Sequence, residues 1–329
     1  MNADGRVLSG ATRPLQKFED PDWTAKGERR ATVPFARLQT LWFNTGTLCN
    51  ITCASCYIES SPKNDRLVYL SAAEVVAFYD EILAKRLGTK EIGLTGGEPF
   101  MNPDIIAIIE EGLERGFEVL VLSNAMQPMQ RPRIKKELLR LNSAYGRQLK
   151  LRISLDHFTR ELHERERGPK SWEKALAGID WLSKNGFTLA IAGRTCWGES
   201  EPAARAGYAE LIAARRWQID ANDHAALHLL PEMNEKAEVP EITNACWGIL
   251  NKRPVDVMCA TSRMIVKRKG ADRPTVLPCT LIPYQPQFDM GPTLTEAGAA
   301  DGGMFDKGAV KLCHVHCAKF CVLGGGSCS

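Results

Sequence analysis

Cys49, Cys53 and Cys56 fall within eight positions of one another in "LCNITCASCY" (48–57), directly after "LQTLWFN" (38–44), a run that reads as a buried strand. Thiolates at this spacing are metal ligands, because soft sulfur suits zinc and iron-sulfur clusters alike. Three of them can bind three irons of a cubane and leave the fourth open. On these residues alone two other readings stand beside that one: a zinc knuckle that borrows a remote fourth ligand, and three cysteines packed as small hydrophobes. The next strand end carries "LTGGEPFMNPD" (94–104), where Gly96 and Gly97 let a backbone approach a ligand without a side chain between, and Glu98 puts a carboxylate at the same rim.

Such groups need a scaffold, and the chain supplies one by alternation. Strand-like runs at 36–44, 91–95, 117–124, 149–156, 187–195 and 226–232 are separated by helix-like runs at 71–88, 103–116, 134–141, 171–186 and 203–216. In the first helix Ser71 and Glu74 form a capping box, and Gly88 suits the C-terminal stop. Near-continuous Val, Ile and Leu strands between amphipathic helices imply a parallel sheet with right-handed crossovers, closed as a barrel or open and wound. Ligands in such sheets bind at the carboxyl ends of the strands, where both motifs stand.

Composition excludes several classes. With 44% hydrophobic and 25% charged residues the chain is an ordinary globular one, and no stretch reaches the roughly 20 apolar residues of a membrane span. A net charge of +3, from 42 basic and 39 acidic residues, argues for neither nucleic acid nor a lipid surface. The first residues lack the basic start and apolar core of a secretory signal, so the expected location is the cytoplasm. There, eleven cysteines point to metal rather than disulfides.

Residues 1–35 are polar and without period and read as a loosely ordered arm, 36–239 as the main domain, and 240–329 as a small unit of short segments. That last unit contains a hairpin at 262–279 and the cysteines Cys259, Cys279, Cys313, Cys317, Cys321 and Cys328. With so little apolar core it is a candidate for metal stapling, zinc included. Cys196 and Cys246, each before a tryptophan, read as packing, and His314 and His316 as neighbours of a metal loop rather than ligands.

The chain resembles the radical S-adenosylmethionine (radical SAM) enzymes. "CNITCASC" (49–56) matches their Cys-x3-Cys-x2-Cys loop, "GGEP" (96–99) their amine-binding turn, and "SNA" (123–125), "RISLDHFTRELHERERG" (152–168) and "AGRT" (192–195) continue the match over about 38–232. The resemblance implies a (β/α)6 partial TIM barrel and a [4Fe-4S] cluster on Cys49, Cys53 and Cys56. In such enzymes the open iron chelates S-adenosylmethionine (SAM), and reductive cleavage yields a 5'-deoxyadenosyl radical that abstracts a substrate hydrogen. It assigns Gly96, Gly97 and Glu98 to the SAM amine, Ser123, Asn124 and Ser154 to its ribose and carboxylate side, and Arg194 to the carboxylate. Asp156 and Arg167 read as braces. Ser55 stands where the family usually has an aromatic residue.

The C-terminal unit, an α+β module, resembles the auxiliary-cluster modules SPASM and Twitch, which implies a further cluster on Cys259, Cys279, Cys313, Cys317, Cys321 and Cys328. Six cysteines support one auxiliary [4Fe-4S] cluster, since two complete clusters need eight ligands. By the same resemblance the substrate is a peptide or protein side chain or, in the alternative, a small molecule, and the electron donor a flavodoxin or ferredoxin. A non-catalytic zinc or iron-sulfur scaffold is the rival from another class.

Overall fold

Alternation along each strand sorts the side chains to two faces, and the two faces bury different things. In a computed structural model describing residues 16–231, 236 and 238–324, Leu41 and Phe43 of one strand pack outward with Ile92, Leu94, Val119 and Val121 of its neighbours against Val75, Tyr79, Ile105 and Ile108 of the helices. Trp42 and Leu120, one residue out of phase, point inward with Leu67, Met264, Val266 and Leu277. The interior is filled by side chains; Trp42 lies so close over Gly93, its register partner, that a β-carbon there would fall 2.3 Å from the indole.

After a short strand β1 (Thr32–Val33), the barrel strands are β2 (Thr40–Asn44), β3 (Glu91–Thr95), β4 (Glu118–Ser123), β5 (Leu149–Ser154), β6 (Thr188–Arg194) and β7 (Leu227–Leu230). They pair in parallel, each with the next. Between them run α1 (Ala72–Lys85), α2 (Ile105–Glu114), α3 (Gln127–Gln130), α4 (Pro132–Tyr145), α5 (Arg160–Arg167), α6 (Ser171–Lys184) and α7 (Glu201–Arg215). The expected (β/α)6 partial barrel is present. Helix α1 begins with the expected capping box, Ser71 Oγ accepting from Glu74 N–H while Glu74 accepts from Ser71 N–H at 2.9 Å. It stops earlier than Gly88 suggests, because Arg86 itself takes a left-handed conformation (φ 52°) and ends the helix at Lys85. Among the described residues no helix is long and apolar enough to cross a membrane.

The C-terminal part is less separate than its composition implies. After α8 (Ala245–Ile249), strand β8 (Ser262–Val266) adds in parallel to the free edge of β2, Thr40 opposite Ser262, and β9 (Thr275–Leu277) returns antiparallel to it. The expected hairpin therefore extends the barrel sheet to eight strands. After α9 (Leu294–Gly298), β10 (Phe305–Asp306) and β11 (Ala309–Lys311) form a second small sheet with β1.

That pairing corrects the reading of a loose N-terminal arm for its described part. Residues 16–33 are built into the C-terminal module: Thr32 pairs with Lys311, and Ala31 N–H donates to Ile242 at 2.8 Å. The fully buried Arg30 guanidinium donates to Glu241 at 2.6 Å and to the carbonyls of Asp20, Trp23 and Leu312. Glu241 also accepts from Phe18 and Ala25 N–H. Removing one partner of a buried pair leaves the other charge uncompensated. Glu241→Ala should accordingly cost about 3–5 kcal/mol in urea unfolding and expose residues 16–33 to limited proteolysis, whereas a loose arm would show neither effect.

Candidate active site

The carboxyl ends of the strands converge on one cavity of about 160 Å³. Its wall takes Thr95 from β3, Leu122 and Ser123 from β4, Ser154 from β5, Ala192, Gly193 and Arg194 from β6, and Leu230 from β7. The loop after β2 contributes Cys49, Cys53 and Cys56 to the same wall. The three cysteines are thus at the mouth of the sheet, on the rim shared with the ends of β3 to β7.

Hydrogen bonds hold that loop on several sides. Cys49 N–H donates to Ser61 at 3.1 Å, Thr47 N–H to Leu67 at 3.0 Å, and Ala54 N–H to Glu166 at 2.8 Å. Ser60 N–H donates to Cys56 Sγ at 3.3 Å. Asn124 Nδ2 stands 3.9 Å from Cys49 Sγ and donates to Asn50 Oδ1 at 2.9 Å. Burial pushes the Cys49 thiol up to about 12 and raises that of Cys53. Both are therefore protonated in the metal-free protein, and a metal has to displace the proton to bind.

Gly96 and Gly97 line the cavity, and their bareness serves the scaffold first. Gly96 has φ 140°; a β-carbon on Gly96 would lie 2.4 Å from the Gly46 carbonyl oxygen, and one on Gly97 2.1 Å from that of Leu48. Through this gap Gly97 N–H donates to Gly46 at 2.7 Å and Glu98 N–H to Leu48 at 3.1 Å.

Glu98 does not line the cavity. Its carboxylate turns inward, 2% exposed, and accepts from Ser123 Oγ at 2.9 Å, Asn124 N–H at 2.9 Å and Phe100 N–H at 3.3 Å. Burial raises its pKa to about 7 in spite of these donors.

The far wall is a charged network that motif matching found only in part. Arg194 Nη1 donates to Ser55 Oγ at 2.7 Å and Arg194 Nε to Asp156 at 3.2 Å. Ser55, where an aromatic was expected, donates its hydroxyl and its N–H to Glu166 at 2.6 and 2.9 Å. Arg167 braces Asp156 with two donors, as read, but both residues also line the cavity. Burial alone would raise the Asp156 carboxyl; Arg167 and Arg194 outweigh it and hold it low. Tyr57 and Ser60 are further lining residues. Their only sequence signal is nearness to Cys56.

A second cavity gathers Cys259, Cys279, Cys317 and Cys321 with Val257, Pro278, Ile282, Val310 and Leu312. Cys317 and Cys321 come from one π-helical segment, Cys317–Leu323. Cys313 is not among the residues lining that cavity, and its thiol donates to the carbonyls of Phe18 at 3.3 Å and Asp20 at 3.4 Å. Cys328 lies outside the described residues. Cys246 contacts Thr243, and neither it nor Cys196 lines either cavity. His314 is also outside both; burial and the adjoining His316 lower its pKa to about 4. Among the described residues no three Cys, His, Asp or Glu side chains are placed to share a single metal ion.

Two substitutions test these roles. Gly97→Ala should push the Leu48 carbonyl aside and carry Cys49 with it, lowering iron retained at the barrel site, as read by anaerobic iron analysis. Glu98→Ala strands three buried donors, each worth about 1–3 kcal/mol, and should lower the stability of the metal-free protein; a residue that only contacts ligand would leave that stability unchanged.

Comparison with known proteins agrees with this geometry. Residues 43–196 match the profile of the Radical SAM superfamily. The chain is 32% identical over 145 residues to the antilisterial bacteriocin subtilosin biosynthesis protein AlbA of Bacillus subtilis, covering 44% of this chain and 30% of that one. It is 32% identical over 147 residues to the AdoMet-dependent heme synthase of Methanosarcina barkeri, covering 44% and 38%. It therefore spans well under half the length of these relatives. Among solved structures, anSMEcpe with bound AdoMet superposes with a TM-score of 0.58 at 13% identity over 80% of this chain and 78% of that one. Streptococcus suis SuiB bound to S-adenosylmethionine does so at 0.57 and 12% over 81% and 66%. The three-cysteine loop, the glycine pair and the ends of the remaining strands lie around one cavity, and residues 43–196, just under half of the chain, are a radical SAM domain.

Proposed function

We propose that the chain is a radical SAM enzyme acting on a side chain of a peptide or protein, with Cys49, Cys53 and Cys56 as ligands of its SAM-binding cluster. The observation that carries this is the shared cavity, in which three thiols face Gly96, Gly97, Ser123, Asn124, Ser154 and Arg194. A [4Fe-4S] cluster bound there, with SAM on its open iron, supplies a one-electron cleavage of the sulfonium and so a radical able to abstract hydrogen.

The protein's own residues bind, orient and shield. Arg194 is held by Ser55 and Asp156 at the rim, a fixed cation suited to the SAM carboxylate. Ser123 and Asn124 are fixed by Glu98, whose part is to order the ribose side from behind rather than to contact the amine. Tyr57 lines the cavity with an aromatic surface one residue beyond the third thiol, taking the place of the missing aromatic before it. Leu122, Ala192 and Leu230 make much of the remaining wall apolar, which excludes water from a reactive intermediate.

The peptide reading draws on the bacteriocin biosynthesis relative and on the fold shared with SuiB, which has also been solved bound to its precursor peptide SuiA. The heme synthase and the GTP 3',8-cyclases among the relatives favour a small molecule in the alternative. For the C-terminal module the reading is one auxiliary [4Fe-4S] cluster on Cys259, Cys279, Cys317 and Cys321, the four that share a cavity.

Anaerobically reconstituted protein should hold about eight irons per chain, four for each cubane, and form 5'-deoxyadenosine from SAM and dithionite. Replacing Cys49, Cys53 and Cys56 by Ala should abolish that product and halve the iron. Cys317→Ser should remove the auxiliary signal from Mössbauer spectra, whereas Cys313→Ser should keep it. Stoichiometric zinc with about four irons would refute the auxiliary assignment, and parent-rate cleavage by the triple variant would refute the barrel one.

A further inference from the structure

Arg263, on β8, is 2% exposed, and its guanidinium donates to backbone carbonyls. Nη1 donates to Cys259 at 2.6 Å and Ser262 at 2.7 Å, and Nη2 to Gly308 at 2.9 Å. The ring of Phe35 lies 4.1 Å from its central carbon. Among the described residues no carboxylate is within ion-pair distance. The other buried arginines with charged partners are built differently: Arg30 has Glu241, and Arg167 and Arg194 share Asp156. An arginine stays charged even where burial lowers its pKa, here to about 10, and a buried charge without a counter-charge is costly.

The nearest candidates for that counter-charge are thiols. Arg263 grips the carbonyl of Cys259 at 2.6 Å, and Cys259 lines one cavity with Cys279. Resting on the auxiliary-cluster assignment above, we infer that Arg263 is the positioning and charge-balancing residue of the C-terminal cluster: it fixes the Cys259 turn through its carbonyl and sets the reduction potential of the cluster that Cys259 and Cys279 ligate. The sign follows from electrostatics. The reduced cluster carries one more negative charge than the oxidised one, so a fixed cation beside it favours reduction and raises the potential.

The test is an EPR-monitored dithionite titration of the reconstituted parent, Arg263→Gln, which keeps donors for the carbonyls without the charge, and Arg263→Lys, which keeps the charge. The expected result is an auxiliary midpoint shifted to more negative potential in the Gln variant and near the parent value in the Lys variant, with the barrel cluster unmoved in both. A Gln variant that cannot be loaded while the Lys variant loads also supports the role. Equal potentials in all three proteins overturn it, as do equal shifts in both variants, or failure of both to load, which would make the carbonyl contacts and not the charge the requirement. Arg263 also borders a basic cavity lined by Arg37, Lys85 and Arg86. Sulfate or phosphate binding to the parent and not to the Gln variant, with the potential unmoved, would assign the charge to an anion there and overturn the inference. A parent without an auxiliary cluster would instead remove the cluster assignment itself.

Discussion

Two main-chain hydrogen bonds, Gly97 N–H to the Gly46 carbonyl and Glu98 N–H to the Leu48 carbonyl, press the loop after β2 against the loop after β3. Only bare backbones can come so close. The rest of the mouth is referred to this contact. Cys49 follows Leu48 directly, and Glu98 passes the constraint on to Ser123 and Asn124 at the end of β4. Asn124 then returns it to Asn50 and Cys49, closing a ring from first loop to second loop to third strand and back. Satisfied polar networks of this kind rigidify a buried site. Cys49 is thereby tied to the ends of β3 and β4 although it stands on a loop.

The parts legible in the sequence were those written in a local period or a short chemical spacing. Six apolar strands, the helices between them, the Ser71–Glu74 cap and the three-cysteine loop are signals of that sort. What escaped depends on remote partners. Nothing local in "TV" at 32–33 announces a strand, because its stability comes from β11, far along the chain. The inward turn of Glu98 depends on donors at the end of β4, Ser123 and Asn124, as well as on Phe100 N–H in its own motif. The surroundings of the C-terminal cysteines are likewise set from elsewhere in the chain: the Cys313 thiol meets the Phe18 and Asp20 carbonyls, while Cys259, Cys279, Cys317 and Cys321 line one cavity. Spacing alone ranks these cysteines equally.

Charge is handled in two ways in this molecule. At the barrel mouth Arg167 and Arg194 enclose Asp156, so the cations near the thiols are partly neutralised and geometrically fixed. Between the N-terminal segment and the C-terminal module Arg30 and Glu241 are matched one to one, and their hydrogen bonds to backbone at Phe18, Asp20, Trp23, Ala25 and Leu312 make the pair a joint between remote segments. At these two places the groups that stitch chain segments together carry their counter-charges with them, whereas Arg263 joins β8 to Gly308 through carbonyls alone.

The pairing of β8 with β2 joins residues more than 200 positions apart, Thr40 with Ser262. Until the later segment has been synthesised, one edge of β2 has no partner of its own, and an unpaired apolar strand edge is a template for pairing with other chains. Contacts of such sequence separation also form slowly. The strand whose end launches the three-cysteine loop is therefore among the last to be completed, and a nascent chain carries its ligand loop on an unfinished edge. Yield of assembled protein should hence be governed by the time that edge stays open, a kinetic burden of the topology that neither thiol chemistry nor helix propensity can relieve.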